Sequence, residues 1–97
     1  MADNIYMQCK NEKTLHYLKV LGQVIKQKRL KTTDKSRHNF CNSYELDSSN
    51  LRRIENGEIE PKVTMLLRIS EALNTPLSEI INETEKKLGK NFFVIEQ

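Results

Sequence analysis

The sequence predicts an all-α fold of five helices around one modest core, and three observations predict it. Apolar residues recur at spacings of three and four along most of the chain, the period of an amphipathic helix. Only three glycines and two prolines occur in 97 residues, too few for the many turns of a sandwich or barrel. Charged residues make up 30% of the chain and aromatic residues 6%, which suits a charged helical protein. A chain of this length buries one core and has no room for a separate ligand-binding lobe.

The elements follow in order. Residues 11–30 read as the first helix, with Leu15, Leu18, Leu21 or Gly22, Ile25 and Leu30 near helical spacing. Asn11 is its expected N-cap, and Glu12 suits the positive helix terminus. Residues 31–35 are polar and read as a loop. Ser36 caps a second, short helix through about Tyr44, with Phe40, Cys41 and Tyr44 as its apolar residues. Asp47 caps a third that begins at Ser48; Leu51 and Ile54 point inward, and Ser48, Ser49, Asn50, Arg52 and Arg53 outward. Asn56-Gly57 stops it, since both residues tolerate the left-handed conformation. After Pro61 a fourth helix carries Val63, Leu66, Leu67, Ser70 and Leu73 on one face, widened by Met65, Ile69 and Ala72. Asn74 ends it. Thr75 caps a fifth helix with Pro76 at its first position; Leu77, Ile80 and Ile81 face inward. That helix ends either near Asn82 or at Leu88, with Gly89 as its stop. Residues 91–95, aromatic and β-branched, read as a short C-terminal strand. Ile5-Tyr6-Met7 is a weaker strand candidate. The organisation expected is an N-terminal tail (1–14), a helical domain (15–82) and a C-terminal extension (83–97).

Composition excludes several classes. The first nine residues lack a basic region followed by an apolar run, so no signal peptide is expected. No stretch approaches the roughly 20 apolar residues of a membrane span. Cys9 and Cys41 make neither a disulfide framework nor a zinc site, and read as thiols in a reducing compartment. A cytoplasmic protein is expected, without membrane contact. His16 and His38 share no ligand spacing with a cysteine or carboxylate and read as surface or packing residues, so no metal is expected. No phosphate-binding loop, nucleophile motif or acid–base pair appears, so neither an enzyme, nor a cofactor, nor a small-molecule ligand is expected.

Charge is distributed unevenly. The net charge is +3. Residues 19–40 hold seven bases (Lys19, Lys26, Lys28, Arg29, Lys31, Lys35, Arg37) against one acid, Asp34, whereas residues 71–97 hold five acids and three bases. Taken alone, such a basic run is a solvated helix face. Beside two short helices at 36–44 and 48–56 joined by a brief turn, it matches what contact with phosphates requires. That spacing is the geometry of a helix-turn-helix, whose second helix enters the major groove and whose first crosses the backbone.

The segment 21–81 resembles the phage repressor/Cro-type (XRE) helix-turn-helix family, with its lambda-repressor-like fold. The resemblance rests on Leu51-Arg52-Arg53-Ile54-Glu55-Asn56-Gly57, on Pro61 with Leu66-Leu67-Arg68-Ile69-Ser70-Glu71-Ala72-Leu73, and on Leu77-Ser78-Glu79-Ile80-Ile81. It puts Phe40-Cys41 at the family's core pair and Ser36-Arg37 where Ser-Gln is usual. The sequence departs from the family pattern in four places. Glu45 replaces the turn glycine, the loop before Ser36 is one residue longer, Lys35 replaces an apolar residue, and Lys62 stands where a capping serine is common.

The resemblance implies a DNA-binding transcriptional regulator. Arg37 would lie near phosphate or an outer base, Ser48, Ser49, Asn50 and Arg53 would face the groove, Arg52 would reach a flanking phosphate, and Asn56 would hold a phosphate from the loop. Asn50 and Arg53 are the residue types that read adenine and guanine edges. Arg29 and Glu55 would form a buried ion pair. The partners expected are double-stranded DNA, bound at a near-palindromic operator, and a second copy of the chain, the protein acting as a repressor. The tail residues Phe92, Phe93, Val94 and Ile95 are too apolar to leave in water; they either form the dimer seam or fold back on their own domain. The alternative is a protein-interaction module, such as an antitoxin, that holds a partner protein with this tail.

Overall fold

Asn11 opens the first helix: its Oδ1 accepts from the backbone N–H groups of Lys13 at 2.7 Å and Thr14 at 3.2 Å. The computed structural model describes residues 11–95, so Ile5-Tyr6-Met7 and Cys9 lie outside the described residues. Five helices follow: α1 (Glu12–Thr32), α2 (Arg37–Ser43), α3 (Ser48–Glu55), α4 (Val63–Ala72) and α5 (Leu77–Leu88). Ser36 Oγ accepts from Asn39 N–H at 3.1 Å, and Asp47 Oδ1 from Asn50 N–H at 3.1 Å. These three caps are the residues expected, and each is a type whose loss costs about 1 kcal/mol. At α4 Lys62 offers no capping bond. Thr75 does not cap α5: its hydroxyl bonds back to the Leu73 carbonyl at 3.1 Å, and Pro76 takes the cap position. Of the two ends expected for α5, the chain takes the longer, reaching Leu88 with Gly89 beyond it at φ 91°.

The three inner helices end alike. Leu46 N–H bonds to Cys41 C=O at 2.8 Å, Glu58 N–H to Arg53 C=O at 2.8 Å, and Thr75 N–H to Ser70 C=O at 3.0 Å. Each closure needs a left-handed residue just before the donor. Those residues are Glu45 (φ 57°), Gly57 (φ 72°) and Asn74 (φ 53°). Glycine and asparagine suit this conformation; glutamate does not.

α1 lies against both α3 and α5, α2 against α3, and α4 against α5. Leu21, Val24, Ile25, Phe40, Leu51, Ile54, Leu66, Ile69, Leu73 and Ile80 meet in one core. Each such side chain contributes about 1.5–3 kcal/mol relative to exposure. α1 approaches α3 so closely at Gly22 that a Cβ there would lie 2.5 Å from the Glu55 carbonyl oxygen and against that of Ile54. Lys28 ties α1 to α5, its Nζ lying 3.1 Å from both Glu79 and Glu83. Burial pulls the Lys28 ammonium down, but these two hydrogen bonds outweigh it and hold its pKa above the ordinary value.

Some expected inward residues face outward. Leu30 is 59% exposed: in the last turn of α1 it is Arg29, not Leu30, that faces inward. Tyr44 caps the end of α2, half-exposed, with its ring 5.2 Å from that of Phe40. On α4 the buried arc is Leu66, Ile69, Ser70, Ala72 and Leu73; Val63 is 72% and Leu67 45% exposed. The pair lies four residues apart on the next stripe round the helix.

Residues 91–95 form no strand; among the described residues no strand occurs. The chain turns after Gly89, Phe92 packs its ring 5.8 Å from His16 and 6.5 Å from Tyr17, and Asn11 Nδ2 donates to Val94 C=O at 2.9 Å. The tail thus folds back on α1 because its own domain offers a helix face and no sheet edge. With Tyr17 and the end of α5 it lines an open groove of ≈ 870 Å³. Among the described residues no helix is long and apolar enough to cross a membrane. No group of histidine, cysteine or acidic side chains among them is placed to hold a metal.

Candidate nucleic-acid interface

The α3 sequence sorts its side chains onto two faces. Leu51, Ile54 and Glu55 are buried, while Ser49, Arg52 and Arg53 are exposed. Ser48 and Asn50 are half-buried at the first turn. The buried face is fixed by packing and by charge. Arg29 of α1 donates from Nε to Glu55 Oε2 at 2.7 Å and from a terminal nitrogen to Oε1 at 3.0 Å, a two-pronged pair with side chains only 6% and 2% exposed. The hydrogen bond to Glu55 raises the Arg29 pKa, and burial opposes it less strongly. Cys41 lies wholly buried nearby; burial first, and then the Glu55 charge, push its thiol up, so it stays protonated and unreactive.

The outward residues differ in how free they are. Arg52 lies 3.8 Å from Glu58, whose carboxylate also accepts from Asn56 Nδ2 at 3.4 Å. Glu58 therefore draws Arg52 and Asn56 to the C-terminal end of α3. Among the described residues no carboxylate pairs with Arg53. Arg37 begins α2, half-buried, and its Nε is buried with no hydrogen-bond partner among the described residues. Lys35, just before α2, reaches Ser43 Oγ at 2.8 Å and stays exposed.

Thus Ser48, Ser49, Asn50, Arg52 and Arg53 share one short helix, Asn56 follows at its cap, and Arg37 sits at the start of the preceding helix. The sequence reading passed over Arg68. This α4 residue donates to the Glu45 carbonyl at 3.2 Å and lines a shallow groove with Asn50, Ile59, Pro61 and Met65. Its signal was faint, a single charged side chain between apolar ones in α4.

Two comparisons with known proteins bear on this arrangement. A family model described as helix-turn-helix matches residues 45–80, from the turn before α3 to the first turn of α5. The control protein C.MunI of Mycoplasma sp is 33% identical over 66 residues, which span 68% of this chain and 89% of that protein. Two short helices closed by a tight turn, the second anchored by a buried ion pair and arginine-bearing on its outer face, are thus accompanied by likeness over two thirds of the sequence. The chain belongs to the phage repressor/Cro-type helix-turn-helix family, whose members are DNA-binding transcriptional regulators and not enzymes.

Proposed function

We propose that the protein is a cytoplasmic repressor that binds a near-palindromic operator as a homodimer, reading bases with α3. The observation that supports this most is the division of α3 into a face pinned by Leu51, Ile54 and Glu55 and a face that presents Ser49, Asn50 and Arg53. A helix held rigidly on one side can place side chains at base edges with the precision that discrimination needs. In this reading Arg53 bonds to a guanine edge and Asn50 to adenine, with Ser48 and Ser49 beside them. Arg37, Arg52 and Asn56 hold the backbone and set the register. The similarity to a protein named as a control protein accords with a role in governing expression.

The test is a selection. Duplexes enriched from a random pool by the protein should carry two related half-sites about one helical turn apart. R53A should weaken binding to the enriched duplex roughly 10–100-fold and leave a scrambled duplex much less affected. A pool that never enriches, or equal loss on both duplexes, would leave only the salt-dependent phosphate term and end this reading.

Exposed apolar side chains support the dimer. Besides Leu30 and Tyr44 they include two groups, Val63 and Leu67 on α4, and Phe93, Val94 and Ile95 in the tail. Removal of residues 90–97 should halve the mass in solution if the tail is the seam. If the mass holds and L67E halves it instead, α4 is the seam. A monomer in the unaltered protein would refute dimerisation.

A further inference from the structure

The turn between α2 and α3 carries a residue poorly suited to it. Three helix ends are closed by the same long hydrogen bond, and each requires a left-handed residue. Two of these positions hold Gly57 and Asn74, which adopt that conformation readily; the third holds Glu45 at φ 57°. Among the described residues, only at this third end does another helix supply a donor: Arg68 of α4 reaches across 23 positions of sequence and gives its terminal N–H to the Glu45 carbonyl at 3.2 Å. α4 and α2 do not otherwise approach closely in backbone, nor do α4 and α3. The guanidinium therefore braces, from α4, the connection between α2 and α3.

We propose that Arg68 is a positioning residue for DNA reading, acting through the Glu45 turn to set the angle of α3. The inference rests on the reading of α3 as the base-contacting helix. Its chemistry is simple. A charged donor on the Glu45 carbonyl stabilises the one backbone arrangement in which that carbonyl points toward α4. With Arg68 gone, the turn can relax away from the strained conformation, and α3 loses part of its fixed orientation. Discrimination between sequences then falls more than adhesion to phosphate does, because base-edge bonds tolerate misplacement poorly.

The probes are the duplex enriched by the unaltered protein and its scrambled counterpart, each titrated by fluorescence anisotropy across a salt series. R68M keeps the aliphatic stem and removes the donor. It should weaken binding to the enriched duplex about tenfold, leave the scrambled duplex within about twofold, and keep the salt slope. R68K, which can still donate, should recover part of the loss. E45G added to R68M should recover most of it, because glycine takes the left-handed conformation unaided. A phosphate contact by Arg68 predicts otherwise: equal loss on both duplexes, a salt slope smaller by about one, and no rescue by E45G. That result overturns the proposal, as does an R68M protein with undiminished discrimination. Thermal unfolding of the four proteins of the cycle gives a readout without DNA: R68M should lower Tm in the Glu45 background and much less beside E45G, and equal losses in both would also refute the coupling. Failure of the selection itself, or of R53A to lower specificity, would strike the α3 reading and not this coupling.

Discussion

Glu55→Ala is expected to lower the free energy of unfolding by about 3–5 kcal/mol. The substitution leaves the Arg29 guanidinium charged and buried without its carboxylate. A domain this small has a total stability of only about 5–15 kcal/mol, so the variant should be partly unfolded under conditions where the parent is native. Urea titration followed by circular dichroism measures this directly, and a midpoint change worth less than about 1 kcal/mol would show that water reaches and solvates Arg29. The converse holds for the pair. R29M combined with E55M removes both charges and fills the space with apolar atoms, and should recover most of the loss, since a buried ion pair contributes little net stability over well-packed hydrophobic residues. The double variant separates the penalty of an orphaned charge from any stability owed to the pair itself.

Gly22→Ala should destabilise by about 2 kcal/mol, against the trend for glycine in a helix interior. The helix itself would gain about 1 kcal/mol from alanine. The new methyl, however, would lie 2.5 Å from the Glu55 carbonyl oxygen and 2.8 Å from its carbon. Those atoms are backbone in the last turn of α3, so no side chain can rotate to make room. Overpacking of this kind costs about 3 kcal/mol when the backbone must move. Either α1 and α3 separate, which opens the core at Leu21 and Leu51, or α3 shifts and carries Arg53 with it. Both outcomes should appear as a lower Tm and weaker binding to the enriched duplex. A variant more stable than the parent would show that the two helices can part at little cost.

Local chemistry made much of this fold legible in advance. Asn11, Ser36 and Asp47 each sit before an apolar-periodic stretch, and each side chain accepts an amide of the turn it opens. Gly57 and Asn74 mark helix ends because both residue types take left-handed backbone readily, whereas Asn56 stays right-handed at φ −88°. The Arg29–Glu55 pair followed from family likeness, since no spacing rule joins residues 26 apart in sequence. Apart from Thr75, whose hydroxyl turns back to the Leu73 carbonyl instead of capping α5, the misjudged positions depend on what covers a residue in three dimensions. Val63 and Leu67 continue the apolar pattern of α4, but periodicity identifies a stripe without saying whether another element reaches it. The apolar series of α1 leaves Leu21 or Gly22 open at one position; what Gly22 does depends on the backbone of α3, which lies against it and which no local pattern supplies. Residues 91–95 have the composition of a strand, yet a strand needs a neighbour to pair with, and the nearest surface is α1. Within the candidate interface the outward residues of α3 were readable from its amphipathic pattern. The service of Arg68 to a turn 23 residues earlier was not.

The place of α1 between two helix pairs has a consequence for how the molecule comes apart. α2 leans on α3, and α4 on α5, but each pair reaches the other chiefly through the long first helix and the core it lines. Neither pair can therefore be peeled away as an independently ordered fragment without uncovering the core that Leu21, Val24 and Ile25 line. Opening motions large enough to expose the amides of that stretch amount to whole-molecule unfolding. The chain should behave as one cooperative unit in which the last protons to exchange belong to the helix that α3 and α5 both lean on.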